Sequence, residues 1–235
     1  MLFRSDIKVI GGGFNGDKSY VSKGVVASGS VPISLWMTNV TFSDFDFGSS
    51  YALDIQTTTD SKATILKIIG CNFLSTCDYI QIARGFGGTA TNKNVAFIGC
   101  GIDCEVFLDT VVSTQFVGNL ISKPVTGLNN IAYTSFIGNK FSNITGTAPV
   151  VVPSTSPYFV FQGNTFVGCD TLPSFSTAAS NTNWSVFGNT GINNLFANYR
   201  LSTMTEPNDV NTIYVDVSDG ILKFKDYAGV VHSLS

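Results

Sequence analysis

One short motif recurs along the chain, and this repetition constrains the fold more than any other feature of the sequence. Three of its copies are Tyr133–Phe141, Tyr158–Phe166 and Asn183–Gly191. Apolar residues alternate before a Gly or Asn marker, and in most copies Phe or Ile stands three places after it. The markers are Gly11, Asn39, Gly70, Gly99, Gly118, Gly138, Gly163 and Gly188. Repetition on this scale predicts stacked structural units, each packed only against its neighbours.

The spacing of the markers indicates which kind of unit is stacked. Successive markers are 19 to 31 residues apart, a variation that excludes tightly periodic helical solenoids and fits short strands joined by loops of unequal length. Alternation before the marker, as in Leu66 and Ile68, is a strand pattern. We therefore expect an all-β parallel β-helix of about eight coils over residues 1–200. A linker at 201–211 would lead to a C-terminal β-meander at 212–235 that caps the helix or holds subunits together.

Stacked coils place equivalent residues about 4.8 Å apart, so like residues are expected to form columns. The position two places before the marker is apolar in every copy, and the position three places after it is interrupted only at Gly191. The marker itself suits a turn with positive φ. Directly after the marker the last four copies carry an amide, which predicts a hydrogen-bonded column of Asn119, Asn139, Asn164 and Asn189.

The position directly before the marker is also mostly apolar. It is occupied by Ile10, Thr38, Ile69, Ile98, Val117, Ile137, Gln162 and Phe187. Strict alternation points these side chains outward, as a stripe that a neighbouring subunit would cover, most simply in a homotrimer. The alternative is that the strand bends there and turns them inward at a corner.

The five cysteines include Cys71 and Cys100, which occupy the column position of the asparagines one coil apart. A disulfide and a pair of buried thiols are the two alternatives, and the odd number of cysteines favours thiols. The chain has a single histidine, so no Cys–His zinc spacing exists. We expect no metal and no cofactor.

Composition restricts the partners of the chain. The net charge of -3 argues against nucleic-acid binding, which needs a basic face. No apolar run approaches the roughly 18–20 residues of a membrane span, so we expect no membrane insertion. Only six residues precede the first predicted strand at Ile7. Because the apolar end of a coil needs a cap, we expect another protein, or a missing N-terminal segment of a longer chain, to cover it.

A second strand per coil is visible in Tyr51–Gln56, Asp78–Ala83 and Cys104–Asp109. Alignment of their apolar residues leaves acidic and amide side chains facing out, namely Asp54, Gln81, Glu105 and Asp109.

Asp54, Glu105 and Asp109 are the catalytic candidates, since a glycosidase needs two carboxyl groups about 5 to 9.5 Å apart. Strand geometry separates Asp54 from Asp109 by roughly 10 Å and Glu105 from Asp109 by about 13 Å. Solvated surface carboxylates are the alternative interpretation.

Aromatic residues supply candidates for binding a sugar. Trp36 occupies an outward position, with Lys8 and Lys67 in the same row one coil away on either side. An exposed indole there can stack on a pyranose ring or make a cation–π contact with a lysine. Tyr51 and Tyr79 add aromatic surface, which completes the set of five predicted glycan-binding residues.

Three segments carry a resemblance to a known family. The opening Ile10–Gly16, Ile-Gly-Gly-Gly-Phe-Asn-Gly, is similar to the first coil of polygalacturonase-like and tailspike sequences. With the Gly-Asn-x-Phe coils up to about residue 192 and the tail segments Val215–Asp226 and Gly229–His232, the chain resembles pectin-lyase-like right-handed parallel β-helices. Within that class it is most similar to bacteriophage tailspikes and tail fibres.

This resemblance implies a homotrimeric virion component, carried on the phage tail and extracellular after release, that binds host cell-surface polysaccharide as a receptor. Many tailspikes cleave the polysaccharide, so a depolymerase is the alternative, and a purely structural virion or decoration protein is a second one. The polygalacturonase signature of Asn-Thr-Asp, Asp-Asp, Gly-His-Gly and Arg-x-Lys is missing, and the single histidine, His232, lies in the tail. A catalytic tailspike of this sequence would therefore be a glycoside hydrolase of another type, and we lean towards a protein without catalytic activity.

Overall fold

The chain forms two compact units, Met1–Ile192 and Asn193–Ser235. Every regular element in the described part of the chain is a β-strand. The computed structural model describes residues 5–16, 20, 23–29, 33–45, 50–57, 64–84, 91–128, 131–152, 158–175, 185–191, 203–204, 212–216, 222–226 and 228–233.

The described residues of the first unit form 22 short strands. In chain order they are β1 (Ser5–Ile10), β2 (Gly13–Asn15), β3 (Lys23–Gly29), β4 (Ile33–Thr38), β5 (Thr41–Ser43), β6 (Tyr51–Thr57), β7 (Thr64–Ile69), β8 (Asn72–Phe73), β9 (Tyr79–Arg84), β10 (Thr91–Ile98), β11 (Gly101–Ile102), β12 (Glu105–Asp109), β13 (Val111–Val117), β14 (Leu120–Ile121), β15 (Val125–Gly127), β16 (Thr134–Ile137), β17 (Lys140–Ser142), β18 (Val150–Val152), β19 (Phe159–Gln162), β20 (Thr165–Val167), β21 (Ser174–Phe175) and β22 (Ser185–Phe187).

These strands stack into three parallel sheets, which confirms the predicted parallel β-helix. Sheet 1 has eight strands in the order β1-β4-β7-β10-β13-β16-β19-β22. Sheet 2 has the order β2-β5-β8-β11-β14-β17-β20, and sheet 3 the order β3-β6-β9-β12-β15-β18-β21. Each strand pairs with the strand three places on in the chain, because one coil contributes one strand to each sheet.

The predicted columns of apolar residues form the core. Phe97 stacks on Phe116 with ring centroids 5.0 Å apart, and Phe116 stacks on Phe136 at 4.7 Å. All three side chains are fully buried, and each such burial is worth about 1.5–3 kcal/mol. In sheet 2, the residues three places after the markers form two further Phe stacks, separated by Ile102 and Ile121, namely Phe14–Phe42–Phe73 and Phe141–Phe166. That row ends at Gly191, where an added Cβ would overlap the carbonyl group of Phe166.

All eight markers adopt the positive φ that the sequence predicted, from 55° at Asn39 to 67° at Gly11. This left-handed conformation turns the chain between sheet 1 and sheet 2 and costs a glycine little. The side chain that follows the turn points inward. Asn119 illustrates the result: its Nδ2 donates to the carbonyl oxygen of Phe97 at 3.0 Å and to Oδ1 of Asn139 at 2.9 Å. The predicted asparagine column is confirmed.

The thiols of Cys100 and Cys71 continue this column in the preceding coils. Oδ1 of Asn119 accepts a hydrogen bond from the backbone N–H of Cys100, whose Sγ donates to the carbonyl oxygen of Ile68 at 3.3 Å. Both thiols are free and buried. Burial raises the pKa of Cys100 to about 11, and the backbone amide of Cys71, which faces the sulfur, partly offsets that rise.

The side chains directly before the markers face outward. The alternative prediction, that the strand bends there and turns them inward at a corner, is therefore wrong. Ile10, Ile69, Ile98 and Ile137 are exposed, because the chain turns only at the next residue and alternation holds up to it. The side chain of Phe187 lies outside the described residues.

The second unit is a four-stranded sheet. Its strands are β23 (Thr203–Met204), β24 (Thr212–Asp216), β25 (Leu222–Lys225) and β26 (Val231–Ser233), in that order. The last three pair antiparallel, as the predicted meander requires. The segment 201–211 that we expected to be a linker contains β23, which pairs parallel with β24. In the turn after β25, His232 contacts Asp226 at 2.9 Å between Nε2 and Oδ2, and this contact lowers the pKa of Asp226.

Candidate functional site

Trp36 lies in the middle of β4 with its indole ring on the outer face of sheet 1. Its neighbours Leu35 and Met37 are buried, whereas Trp36 is 42% exposed. The alternation of the strand therefore places the largest apolar side chain of this segment in solvent on a rigid backbone. An aromatic ring held in this way is suited to stacking against a flat apolar surface.

Two lysines flank Trp36 in the same column, as the sequence predicted. Lys8 pairs with Trp36 on one side and Lys67 pairs with it on the other. The Nζ of Lys67 lies 4.5 Å from the centroid of the indole ring, a cation–π contact. The Lys67 ammonium covers one face of the indole and puts a positive charge over that face. Lys8 is exposed.

A groove begins at this lysine and runs over the outer face of sheet 1 towards later coils. Its volume is about 310 Å³, which is at the small end of the range of about 300–1,000 Å³ for ligand sites. The outward side chains that line it come from three adjacent strands, β7, β10 and β13, and are Ile65, Lys67, Asn94, Ala96, Ser113 and Gln115.

Five of the six outward side chains that line the groove are uncharged. The column of Trp36 continues through Lys67 and Ala96 to Gln115, so the side chain shrinks from an indole to a methyl group within two coils. Asn94 and Gln115 are exposed and present amide donors and acceptors. Among the six outward lining side chains there is one cation and no carboxylate. The surface therefore suits a polar, neutral or anionic ligand.

The other two predicted glycan-binding residues lie on a different sheet. Tyr51 and Tyr79, in β6 and β9 of sheet 3, have ring centroids 5.7 Å apart. Tyr79 also contacts Phe107 at 5.4 Å, and the Nζ of Lys23 lies 5.3 Å from the ring centroid of Tyr51. Desolvation, followed by the charges of the neighbouring acids, raises the pKa of Tyr79. These rings are half-buried and form a second aromatic patch, outside the sheet that carries Trp36.

Asp54 does not face solvent, which corrects the sequence prediction. The apolar pairing was right, because Leu53 pairs with Ile80 and Ile55 with Ile82. Asp54 is nevertheless only 2% exposed. Its carboxylate accepts hydrogen bonds from Nζ of Lys23 at 2.5 Å and Nε2 of Gln56 at 2.7 Å. These two long side chains cover it, so Asp54 is a buried structural carboxylate.

The remaining catalytic candidates lie in separate columns of sheet 3. Glu105 pairs with Tyr79, and Asp109, at the other end of β12, pairs with Ala83. Oδ1 of Asp109 accepts a hydrogen bond from the hydroxyl of Thr110. Both acids are half-buried. Four residues of extended strand separate them, about 13 Å, which is beyond the distance that either glycosidase geometry uses. A catalytic role for Glu105 or Asp109 remains a prediction.

The sequence interpretation missed a pair of exposed tyrosines, each directly before a strand of the sheet that carries Trp36. The rings of Tyr133 and Tyr158 are stacked, with centroids 4.6 Å apart and planes 6° apart. They are 53% and 44% exposed. The sequence did carry a signal for this pair, because the two tyrosines stand at the same position of the repeat, five places before the markers Gly138 and Gly163.

No family model, no curated protein and no solved structure matches this chain. In the described part of the chain, no helix is long and apolar enough to cross a membrane. Over the same residues there is no group of three or more His, Cys, Asp or Glu side chains placed to hold a metal ion.

Proposed function

We propose that this chain is a component of a bacteriophage tailspike or tail fibre, and that the outer face of sheet 1 binds a host cell-surface polysaccharide. The observation that carries the proposal is Trp36, a 42% exposed indole held on a rigid strand beside Lys67. Lys67, which pairs with Trp36, lines one end of a groove whose other outward side chains include amides and small residues. Aromatic stacking combined with a few polar groups is the arrangement that binds a sugar ring and its hydroxyls.

The parallel β-helix supports the choice of a virion spike, because the sequence features that resemble tailspikes are the ones that build its coils. A second support is the exposed stripe of Ile10, Ile69, Ile98 and Ile137. An apolar stripe along the axis is a surface that identical subunits would cover. We propose a homotrimer on this basis, and the mass of 25.1 kDa for one chain predicts about three times that value by light scattering.

The binding experiment uses a panel of acidic and neutral bacterial capsular polysaccharides and lipopolysaccharide O-chains, immobilised and exposed to the full chain. We expect saturable binding to at least one of them and a loss of about tenfold or more in the Trp36→Ala variant, which is about 1.4 kcal/mol. Trp36→Phe keeps a ring and is the matched control. Equal binding by the unaltered chain and the two Trp36 variants would show that Trp36 is not part of the receptor-binding site.

Cleavage of the polysaccharide is the alternative function. One of its three sequence candidates, Asp54, is buried beneath Lys23 and Gln56, which favours binding without turnover. Release of reducing ends from the bound polysaccharide would favour the depolymerase. A chain that neither binds nor cleaves any member of the panel would instead favour the structural virion or decoration protein.

A further inference from the structure

Tyr133 and Tyr158 have a backbone conformation that aromatic residues rarely adopt. Their φ angles are 54° and 57°, in the left-handed region that favours glycine and tolerates asparagine. The eight turn markers, by contrast, satisfy the same requirement with Gly or Asn. Strained conformations of this kind cluster at functional sites. The need for a turn does not explain why tyrosine, and not Gly or Asn, occupies these two positions.

Burial of the rings does not explain the two tyrosines either. The phenylalanine stacks of the interior gain the hydrophobic stabilisation of fully buried rings, whereas Tyr133 and Tyr158 remain 53% and 44% exposed. Their stack leaves aromatic surface in solvent, supported by regular strands, since each tyrosine directly precedes a strand of sheet 1, β16 or β19. Two exposed rings 4.6 Å apart and nearly parallel therefore form a second aromatic platform, in which each ring covers one face of the other.

The groove connects this platform with Trp36. Gln115 pairs with Ser135. Ser113, which lines the groove, stands two places before Gln115, and Tyr133 stands two places before Ser135. Tyr133 is thus the next residue of the column after Ser113, and Ser113 shares its positive φ, at 67°. Among the residues that line the groove, Ser113 is therefore the one directly next to Tyr133 in register.

The span between the two platforms follows from the register. From β4 to β16 there are four steps in sheet 1, which is roughly 19 Å at the spacing of hydrogen-bonded strands. The tyrosine column is displaced by two residues along the strand, about 7 Å. A ligand that touched both platforms would lie across β7, β10 and β13, nearly parallel to the axis, over Ala96 and the amides of Asn94 and Gln115.

We propose that Tyr133 and Tyr158 form a distal sugar subsite, and that the ligand is a linear polysaccharide segment that extends along the groove from Trp36 to Tyr133. This inference rests on the proposed function and specifies its ligand as an extended chain of several sugar residues. Trp36 binds one end of the segment, the amides hydrogen-bond hydroxyls in the middle, and the tyrosine stack binds the other end.

The test uses the panel polysaccharide that binds the full chain most tightly, hydrolysed and fractionated by length, with affinities measured by calorimetry. For the unaltered chain, affinity is expected to rise with length until the segment spans both platforms and then to level off. The double variant Tyr133→Asn, Tyr158→Asn removes both rings and keeps residues that tolerate the left-handed conformation. It is expected to lose about tenfold in affinity for the long segments and to bind the shortest ones unchanged.

Two controls separate this inference from the function on which it rests. Tyr133→Phe with Tyr158→Phe keeps the stack and is expected to bind within about twofold of the unaltered chain. Trp36→Ala is expected to weaken the binding of short and long segments alike. Binding that needs Trp36 but is indifferent to segment length and to the tyrosines would overturn the distal subsite alone. Absence of binding by the unaltered chain would overturn both proposals.

Discussion

Nδ2 of Asn139 donates a hydrogen bond to Oδ1 of Asn164, one coil further along the axis, at 3.0 Å. The same nitrogen donates to the carbonyl oxygen of Phe116 in the preceding coil at 2.9 Å. Both asparagines are buried. One side chain thus links three coils inside the helix and satisfies polar groups that water cannot reach. The column is a continuous polar network in which each member depends on the next.

The first prediction concerns this network. Asn139→Ala removes both donors of Nδ2 and the Oδ1 acceptor that pairs with the N–H of Asn119. We expect the free energy of unfolding to fall by about 2–4 kcal/mol, since each unsatisfied buried group costs about 1–3 kcal/mol. Denaturant unfolding measures it. Asn189→Ala, at the half-buried end of the column, is the matched control and should cost clearly less, because water can replace its amide. Equal losses would mean that burial does not set the cost.

A second prediction extends the column by one amide. In Cys100→Asn, Oδ1 would accept from the N–H of Cys71 and Nδ2 would donate to the carbonyl oxygen of Ile68, the roles that Asn119 plays one coil on. Because an amide hydrogen bond is stronger than a thiol one, we expect the free energy of unfolding to rise by about 0.5–1.5 kcal/mol. Cys100→Ala should lower it. If Asn destabilises the protein as much as Ala does, the column is too narrow there for an amide.

The third prediction is a loss of stability at high pH. The pKa of Cys100 is raised by burial from 9.0 to about 11 in the folded chain, so the unfolded chain loses this proton first. The contribution of this thiol to the free energy of unfolding is fully present below about pH 9. It is lost as the pH rises towards 11, and the loss amounts to about 2–3 kcal/mol. Unfolding measured at pH 8 and pH 10.5 should show the loss. Cys100→Asn, which has no thiol at this position, should show a smaller one, and an identical loss would exclude Cys100 as its source.

Burial also predicts which thiol reacts. Cys71, Cys77, Cys100 and Cys104 are buried and only Cys169 is partly exposed. Burial raises the pKa of Cys104 well above its usual value, and thiolates are the reactive form. At pH 8 we expect a maleimide to label Cys169 first and the other four only after unfolding. Mass spectrometry of digested protein identifies the site. Rapid labelling of Cys100 in the folded chain would contradict the buried column.

The last prediction concerns Asp54. Lys23→Met leaves its buried carboxylate without the ammonium partner, and we expect a loss of about 1–3 kcal/mol, at the lower end because Lys23 is itself 42% exposed. Asp54→Asn in the Lys23→Met background should recover part of that loss. A double-mutant cycle from unfolding curves measures the coupling. Asp54→Asn alone should leave polysaccharide binding unchanged. A loss of binding in this variant would mean that Asp54 takes part in binding the ligand.

The amino-acid sequence by itself was sufficient for the repeat, the register of sheet 1 and sheet 2, the positive φ of the markers and the asparagine column. It was sufficient because these depend on local alternation and on one residue type at a fixed offset from a marker. The strands of sheet 3 were predicted only in β6, β9 and β12. Others, such as β3 and β15, lie in segments of variable length where no marker sets the register.

Tertiary structure alone decided which outward residues stay exposed and which of them lie near one another. Asp54 was predicted to face solvent, but Lys23 from the preceding coil covers it, and alternation carries no information about a side chain 31 residues away. Trp36 and Tyr133 are 97 positions apart in sequence, but Trp36 lies in β4 and Tyr133 directly precedes β16, four strands away in the same sheet. Alternation determines the face of a side chain, whereas the stacking of coils of unequal length determines its neighbours.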